Sequence, residues 1–421
     1  VTTRALPQLL SRRLPFFYGW VVLGCVCCAG FSRQGGAVAT LSIFVEPMTR
    51  DFGWSRIAIS GAVSLGGLLA AFSAPLLGRV LDRQGARAVL CCAILLTGVA
   101  DMALSLTTSL LMFYALFCVA RTNFAGPFDL GIYGAVNNWF VARRSATTAI
   151  ATLAQMVGLV SLPLIAQAGM EHGGWRAGWL AVGVAVLAVG FIPTWLLLVR
   201  APEDIGLVPD RRATPQAAPT AVAARPEPAY SRGDALRTPA FWLLSLFTLF
   251  AYPVQAGVSL HQAPFLIERG LLPAVAATVV STFSFTSGVG SLAFGFFPRS
   301  LPVRYALALT ALLQLVGTLA MLGVHTPLHA YLAAAAFGAG IGGLLTLLPI
   351  VWADYYGRRS FGAIRGLALT GQVLAQAAGP LLSGMLRDWT GSYDASLECF
   401  AALSALAVLS ALVARAPPQR V

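Results

Sequence analysis

The sequence predicts an all-α membrane protein whose twelve transmembrane helices form two six-helix bundles. Three observations predict it. Apolar runs of about 20 residues, each long enough to cross a ~30 Å hydrocarbon core, recur along nearly the whole chain. Only 10% of the 421 residues are charged and 57% are hydrophobic, whereas roughly 25% of an average soluble domain is charged. One polar stretch, rich in Pro and Ala, divides the runs into two equal sets.

In order, the expected spans are 17–46, 56–78, 88–108, 109–138, 145–170, 176–199, 240–264, 273–297, 303–324, 329–353, 361–386 and 394–414. They are helices, because a barrel strand would be a shorter run of about 10 alternating residues. The first run exceeds the apolar core of a signal peptide and lacks a small-residue cleavage site, so it reads as a retained span. The domain plan follows: tail 1–16, bundle 17–200, linker 201–238, bundle 239–415, tail 416–421. The linker reads as flexible, with no soluble module.

The net charge of +12 comes from arginine; the chain has no Lys. The arginines cluster in short loops between spans, where they set topology, so the charge does not point to nucleic acid. With the N-terminus inside, most of them, Arg144 and Arg365 included, fall on the cytoplasmic side. Arg50, Arg56, Arg176, Arg269 and Arg387 fall outside. Both termini are therefore expected in the cytoplasm. The short loops and arginine-only usage suggest a bacterial inner membrane. The seven Cys sit mostly inside spans and read as small packing residues; no metal or cofactor is expected.

The halves repeat. Phe140-Val141-Ala142-Arg143-Arg144-Ser145 after the fourth span matches Tyr355-Tyr356-Gly357-Arg358-Arg359-Ser360 after the tenth, and Gly78 and Arg87 match Gly295 and Arg304 at nearly the same offset. Parallel six-helix repeats are one known transporter architecture, with the substrate site at the membrane midplane.

The loop after the second span reads Gly78-Arg79-Val80-Leu81-Asp82-Arg83-Gln84-Gly85-Ala86-Arg87. Through Gly78, Asp82, Arg83, Gly85 and Arg87 it resembles the signature of the major facilitator superfamily. Arg121, followed by Gly126, resembles that family's intramembrane arginine motif. Phe17-Tyr18-Gly19-Trp20, Gly53-Trp54-Ser55-Arg56, Gly174-Trp175-Arg176 and Pro239-Ala240-Phe241-Trp242 resemble the monocarboxylate-transporter-like and oxalate/formate-antiporter-like branch. The resemblance implies a monomeric secondary transporter working by alternating access. It implies that the Gly78–Arg87 loop is a conformational gate, with Asp82 meeting the N-terminal end of span eleven. It does not supply the substrate. Span eight has Ser281, Ser284, Thr286 and Ser287 where the best-studied members carry charge, and span eleven offers Gln372 and Gln376 instead of a Lys. The segment Gly158–Pro163 lacks the Gly-Pro pair of drug–proton antiporters.

Charges inside spans carry the functional reading. An Arg at a helix centre costs ~2.5–3.5 kcal/mol on insertion scales, so it faces a wet cavity or a partner. Arg33 in span one is the first candidate to grip an anion through two parallel hydrogen bonds; the alternative is internal pairing, for example with Asp129. Arg121 in span four has core and functional readings of equal weight. Asp129, eight residues on, is rotated by about 80° on a continuous helix, which disfavours a direct Arg121 pair; it is the proton-coupling candidate, with a structural ion pair as the alternative. Asp101 lies on a span expected to be peripheral. Tyr252, Gln255 and Gln372 are polar candidates for substrate contact, Pro253 a candidate helix break, and His261 a gate or surface residue.

The expectation is a secondary transporter of a small organic anion, such as a carboxylate, coupled to protons. It is not an enzyme: there is no nucleotide-binding loop and no metal-spaced cluster. Efflux of amphipathic compounds and a non-transporting membrane sensor are the alternatives.

Overall fold

Among the described residues every expected membrane run is built of helix, two of them with a break. In the computed structural model residues 5–210, 228–296 and 302–418 are described. Arg4, Arg211, Arg212, Arg225, Arg299 and Arg420, the middle of the linker, both chain ends and the side chain of Arg56 lie outside the described residues. The helices in chain order are α1 (Ala5–Arg13), α2 (Gly19–Arg33), α3 (Val38–Phe52), α4 (Arg56–Gln84), α5 (Ala86–Leu104), α6 (Leu110–Ala125), α7 (Pro127–Trp139) and α8 (Arg144–Leu197). After the linker come α9 (Arg232–Leu236), α10 (Pro239–Glu268), α11 (Pro273–Gly295), α12 (Val303–Leu322), α13 (Pro327–Tyr356), α14 (Phe361–Thr390) and α15 (Asp394–Val413). Ten stretches among the described residues are long and apolar enough to cross a membrane. One of them, α8, is two spans. Its backbone breaks at Gly173 and Gly174, and Gly174 has φ +70°, a conformation glycine adopts at no steric cost. The twelfth is α14, which Gln372 and Gln376 make more polar than the rest.

The chain divides into two compact units. The first holds the described residues through Ser231 with Tyr356–Leu369; the second holds Arg232–Tyr355 and Thr370–Pro418. The opening turns of α14 thus pack with the first unit.

Within a membrane, apolar burial does little to draw helices together, because lipid tails are equally apolar. Close contact does. A methyl at Gly158 would lie 2.8 Å from the Phe31 Cα, and one at Gly183 2.6 Å from the Gly98 carbonyl oxygen. In the second unit a methyl at Gly340 would lie 2.7 Å from the Thr310 carbonyl oxygen. The outward faces present Phe72, Leu76, Leu111, Leu164 and Phe285, all exposed, to lipid.

The branch-like sequence features become local structure. Trp175 Nε1 and Arg176 donate to Asp51 Oδ2 at 3.0 and 3.1 Å, and Phe52 stacks on Trp54 at 4.3 Å. So Gly53-Trp54 and Gly174-Trp175-Arg176 build one corner. Thr238 caps α10 with Pro239 at its first position.

The linker differs from the expectation of a flexible strap where it is described. Pro202–Ile205 is a 3₁₀ turn. The Asp210 carboxylate accepts from the backbone N–H groups of Val141, Ala142 and Arg143, in the bend that leads into α8 and ends at its N-cap, Arg143. Glu203 pairs with Arg358, and Tyr230 N–H donates to the Tyr356 carbonyl. Bend amides, an arginine and a backbone carbonyl hold these ends down.

Candidate functional site

Two of the first unit's membrane spans are broken, and the breaks build the site. Span one stops at Arg33, passes through a 3₁₀ turn at Gln34–Gly36, and restarts after an extended Ala37. The two glycines let neighbours approach: a methyl at Gly36 would overlap the Ala120 carbonyl, and one at Gly35 would overlap the Asp101 carboxylate. Span four ends as α6 at Ala125 and restarts as α7, with Gly126 as cap and Pro127 at the first position. The last carbonyls of α6 therefore lack their intrahelical donors.

Arg33 supplies one. Its Nε donates to the Phe124 carbonyl at 2.9 Å. Its Nη1 donates to Gln155 Oε1 at 2.6 Å, and its Nη2 lies 3.7 Å from Asp129 Oδ1. The guanidinium thus sits at the negative end of α6, and Asp129 lies in the first turn of α7, at that helix's positive end. One break makes both positions favourable. The other Asp129 oxygen accepts from Arg365 Nη2 at 3.2 Å. Gln155 Nε2 donates to Tyr133 Oη at 3.3 Å, and that hydroxyl lies 3.4 Å from Thr152 Oγ1. Arg33 and Arg121 each hold their guanidinium 4.6 Å from the Phe124 ring centre, the geometry of a cation over an aromatic face.

Charge is left over. Arg33 and Arg365 share one carboxylate, Asp129, and Arg121 lies beside Arg33 over the same Phe124 ring. Among the described residues, Arg121 Nε and both Nε and Nη1 of Arg365 are buried without a hydrogen-bond partner. Donors of this kind are costly to leave unmade.

The structure brings Arg33, Arg121 and Asp129 together. Asp129 pairs with Arg33, the alternative left open above, and the 80° rotation argument lapses because the helix between Arg121 and Asp129 is broken. Arg365 and Arg144 were assigned to cytoplasmic loops by counting. Both are buried: Arg365 is 1% exposed, and Arg144 donates to the carbonyl of Phe140 at 3.2 Å. Gln155 and Tyr133, neutral residues on polar-tolerant helices, gave no sequence signal. Arg365 gave one, since it lies inside the apolar run of span eleven.

The remaining candidates lie in the second unit. Tyr252 is buried on α10. Gln255 Oε1 accepts from Gln376 Nε2 at 3.0 Å. Gln372 on α14 is buried, with its Oε1 unpartnered among the described residues. Pro253 does not break α10, which runs unbroken through it; one lost hydrogen bond is bridged by the turns on either side. His261 Nδ1 lies 3.2 Å from Tyr393 Oη and Nε2 3.3 Å from the Pro380 carbonyl oxygen.

The 78–87 loop has its own geometry. Asp82 Oδ1 accepts from Gly362 N–H at 2.8 Å and Oδ2 from Ala363 N–H at 2.7 Å, capping the start of α14. Gly78 lies where a methyl would overlap the Gly362 carbonyl, so α4 and α14 cross closely. Gly85 has φ +84°. Arg83 is exposed, and Arg87 lies 5.3 Å from the Trp195 ring centre.

Residues 22–271 match the model of the Major Facilitator Superfamily. The chain belongs to that superfamily. Among curated proteins, the membrane sensor protein UhpC of Salmonella typhimurium is 29% identical over 363 residues, 81% of this chain and 79% of UhpC. Human monocarboxylate transporter 7 is 23% identical over 433 residues, 90% of this chain and 83% of that one. The solved proton:xylose symporter XylE superposes with a TM-score of 0.73 over 93% of this chain and 94% of its own at 12% identity, a likeness of fold. The chain is a major facilitator transporter, similar to the monocarboxylate-transporter branch, and not an enzyme.

Proposed function

We propose that this transporter moves a small organic anion, a carboxylate, by alternating access, in symport with protons. One observation carries the reading: Arg33 and Arg365 hold a single carboxylate, Arg121 lies beside Arg33, and among the described residues three guanidinium nitrogens of Arg121 and Arg365 are unpartnered. A carboxylate would satisfy such donors two at a time. Arg33 and Arg121, flanking Phe124, are the anion contacts, and Asp129 balances them; Tyr252, Gln255 and Gln372 are the polar candidates for substrate contact within the second unit. The name of the human relative, a monocarboxylate transporter, supports the same class. The Asp82 cap on α14 acts as the gate, broken in the inward-facing state. The protein works as a monomer in a bacterial inner membrane, both termini cytoplasmic.

The identity to UhpC favours a second reading, a membrane sensor that binds its ligand without moving it. Thermal unfolding of purified protein with L-lactate, oxalate, D-xylose and tetraphenylphosphonium separates these classes, because a ligand bound by the native state raises its stability. A carboxylate is expected to stabilise the wild type and not Arg33→Ala. Stabilisation by the neutral or cationic probes alone would overturn the anion reading. Binding of a carboxylate without uptake into proteoliposomes would leave the sensor.

A further inference from the structure

The buried acid that the anion site does not use is Asp101. It lies on α5, fully buried. Among the described residues neither of its carboxyl oxygens has a hydrogen-bond partner, nor does Thr97 Oγ1 one turn before it. The elements packed here bring no charge. The 3₁₀ turn of span one contributes Gly35, and α8 contributes Val186, whose methyl lies 3.1 Å from where a Gly35 side chain would begin. No titratable side chain among the described residues acts on Asp101.

An ionised carboxylate placed here would lack both a counter-charge and a donor and would meet the penalty for burying an unpaired ion. It needs a cation. Space selects which one: a single methyl added at Gly35 would already overlap the carboxylate, so neither a hydrated ion nor a coordinated metal fits. A proton does. The group that closes over Asp101 is the same Gln34–Gly36 turn whose preceding residue is Arg33. Asp129, by contrast, is held by two arginines and has its counter-charge already.

We propose that Asp101 is the proton-carrying residue of the transport cycle, loaded while the Gly35 turn is packed on it and released when that turn moves with Arg33. In chemical terms the carboxylate oxygen gains a proton from water on one side of the membrane, forming its O–H bond, and returns that proton to water on the other. This rests on the proton-coupled reading above and moves its coupling site from Asp129 to Asp101.

The test uses the full-length protein in liposomes. Infrared difference spectra at neutral pH are expected to show the C=O stretch of a protonated carboxylic acid that disappears in Asp101→Asn and shifts in Asp101→Glu, which keeps the acid on a longer arm. A spectrum unchanged by Asp101→Asn overturns the proposal. In pyranine-loaded liposomes given the carboxylate that stabilises the protein, L-lactate being the first probe, wild type is expected to move protons with the substrate and Asp101→Asn to lose that movement. If wild type moves substrate without protons, proton coupling itself fails. If Asp101→Asn still moves them, only the assignment to Asp101 fails.

Discussion

The two units solve the same problem, six helices in lipid, with different interiors. Among the described residues the buried charged side chains are Asp101, Asp129, Arg144 and Arg365, and all four belong to the first unit. The second unit buries only neutral polar groups such as Thr248, Gln262, Gln314 and Gln372. Helix continuity divides the same way. Spans one and four are broken at glycine-containing turns, whereas α10 and α13, the corresponding helices of the second half, run 30 residues each despite Pro253, Pro264 and Pro349. The coincidence has a cause. A broken helix exposes carbonyls at one end and amides at the other, and these partial charges make room for an arginine and an aspartate that a continuous helix would repel into solvent. Arg33 and Asp129 follow the breaks, whereas Asp101 and Arg365 lie on the unbroken α5 and α14.

The sharpest way to break this contrast is Asp129→Asn. It leaves Arg33 and Arg365 without their counter-charge and is expected to cost about 3–5 kcal/mol of stability, the range for splitting a buried ion pair. Thermal unfolding in detergent measures it, and adding Arg365→Gln is expected to recover part of the loss. A variant as stable as wild type would mean that these arginines are hydrated and the interior is not dry.

Next is the pair Gly36→Ala and Pro253→Ala. The first forces a methyl into the Ala120 carbonyl and is expected to cost about 1–3 kcal/mol, as overpacking does. The second removes a proline from a helix already continuous and is expected to raise stability or leave it unchanged. Equal losses would erase the distinction between broken and unbroken halves. The smallest effect is expected for Gln376→Ala, which removes a neutral hydrogen bond to Gln255 and costs about 1 kcal/mol. A loss as large as that of Asp129→Asn would show that the second unit holds charge-like couplings of its own.

The spans were legible because hydropathy sums over some twenty residues and tolerates local exceptions. The breaks were not. Gly35-Gly36 and Gly126-Pro127 stand in plain view, but glycine is common in membrane helices for packing alone, and Pro253 carried the stronger apparent signal and produced no break. Arg33, Arg121 and Asp129 were found because charge inside an apolar run is costly wherever it points. Arg365 was missed as a site residue because loop counting assigned it by nearness to Arg358 and Arg359. The Asp82 contact with α14 was implied by the loop's resemblance to the superfamily signature; the Asp210 cap was not, because nothing in a Pro- and Ala-rich linker marks which carboxylate will find three free amides.

That cap also sets an order of assembly. The amides of the bend that leads into α8 are closed by a carboxylate 67 residues beyond Arg143, so during synthesis that bend stays open until the ribosome has passed the sixth span and entered the linker. A first half released at residue 210 can complete that closure alone. The Glu203–Arg358 contact, spanning 155 residues, waits for the tenth span to emerge. The newborn protein is therefore fastened twice, once when its first half is made and again when most of its second half has followed.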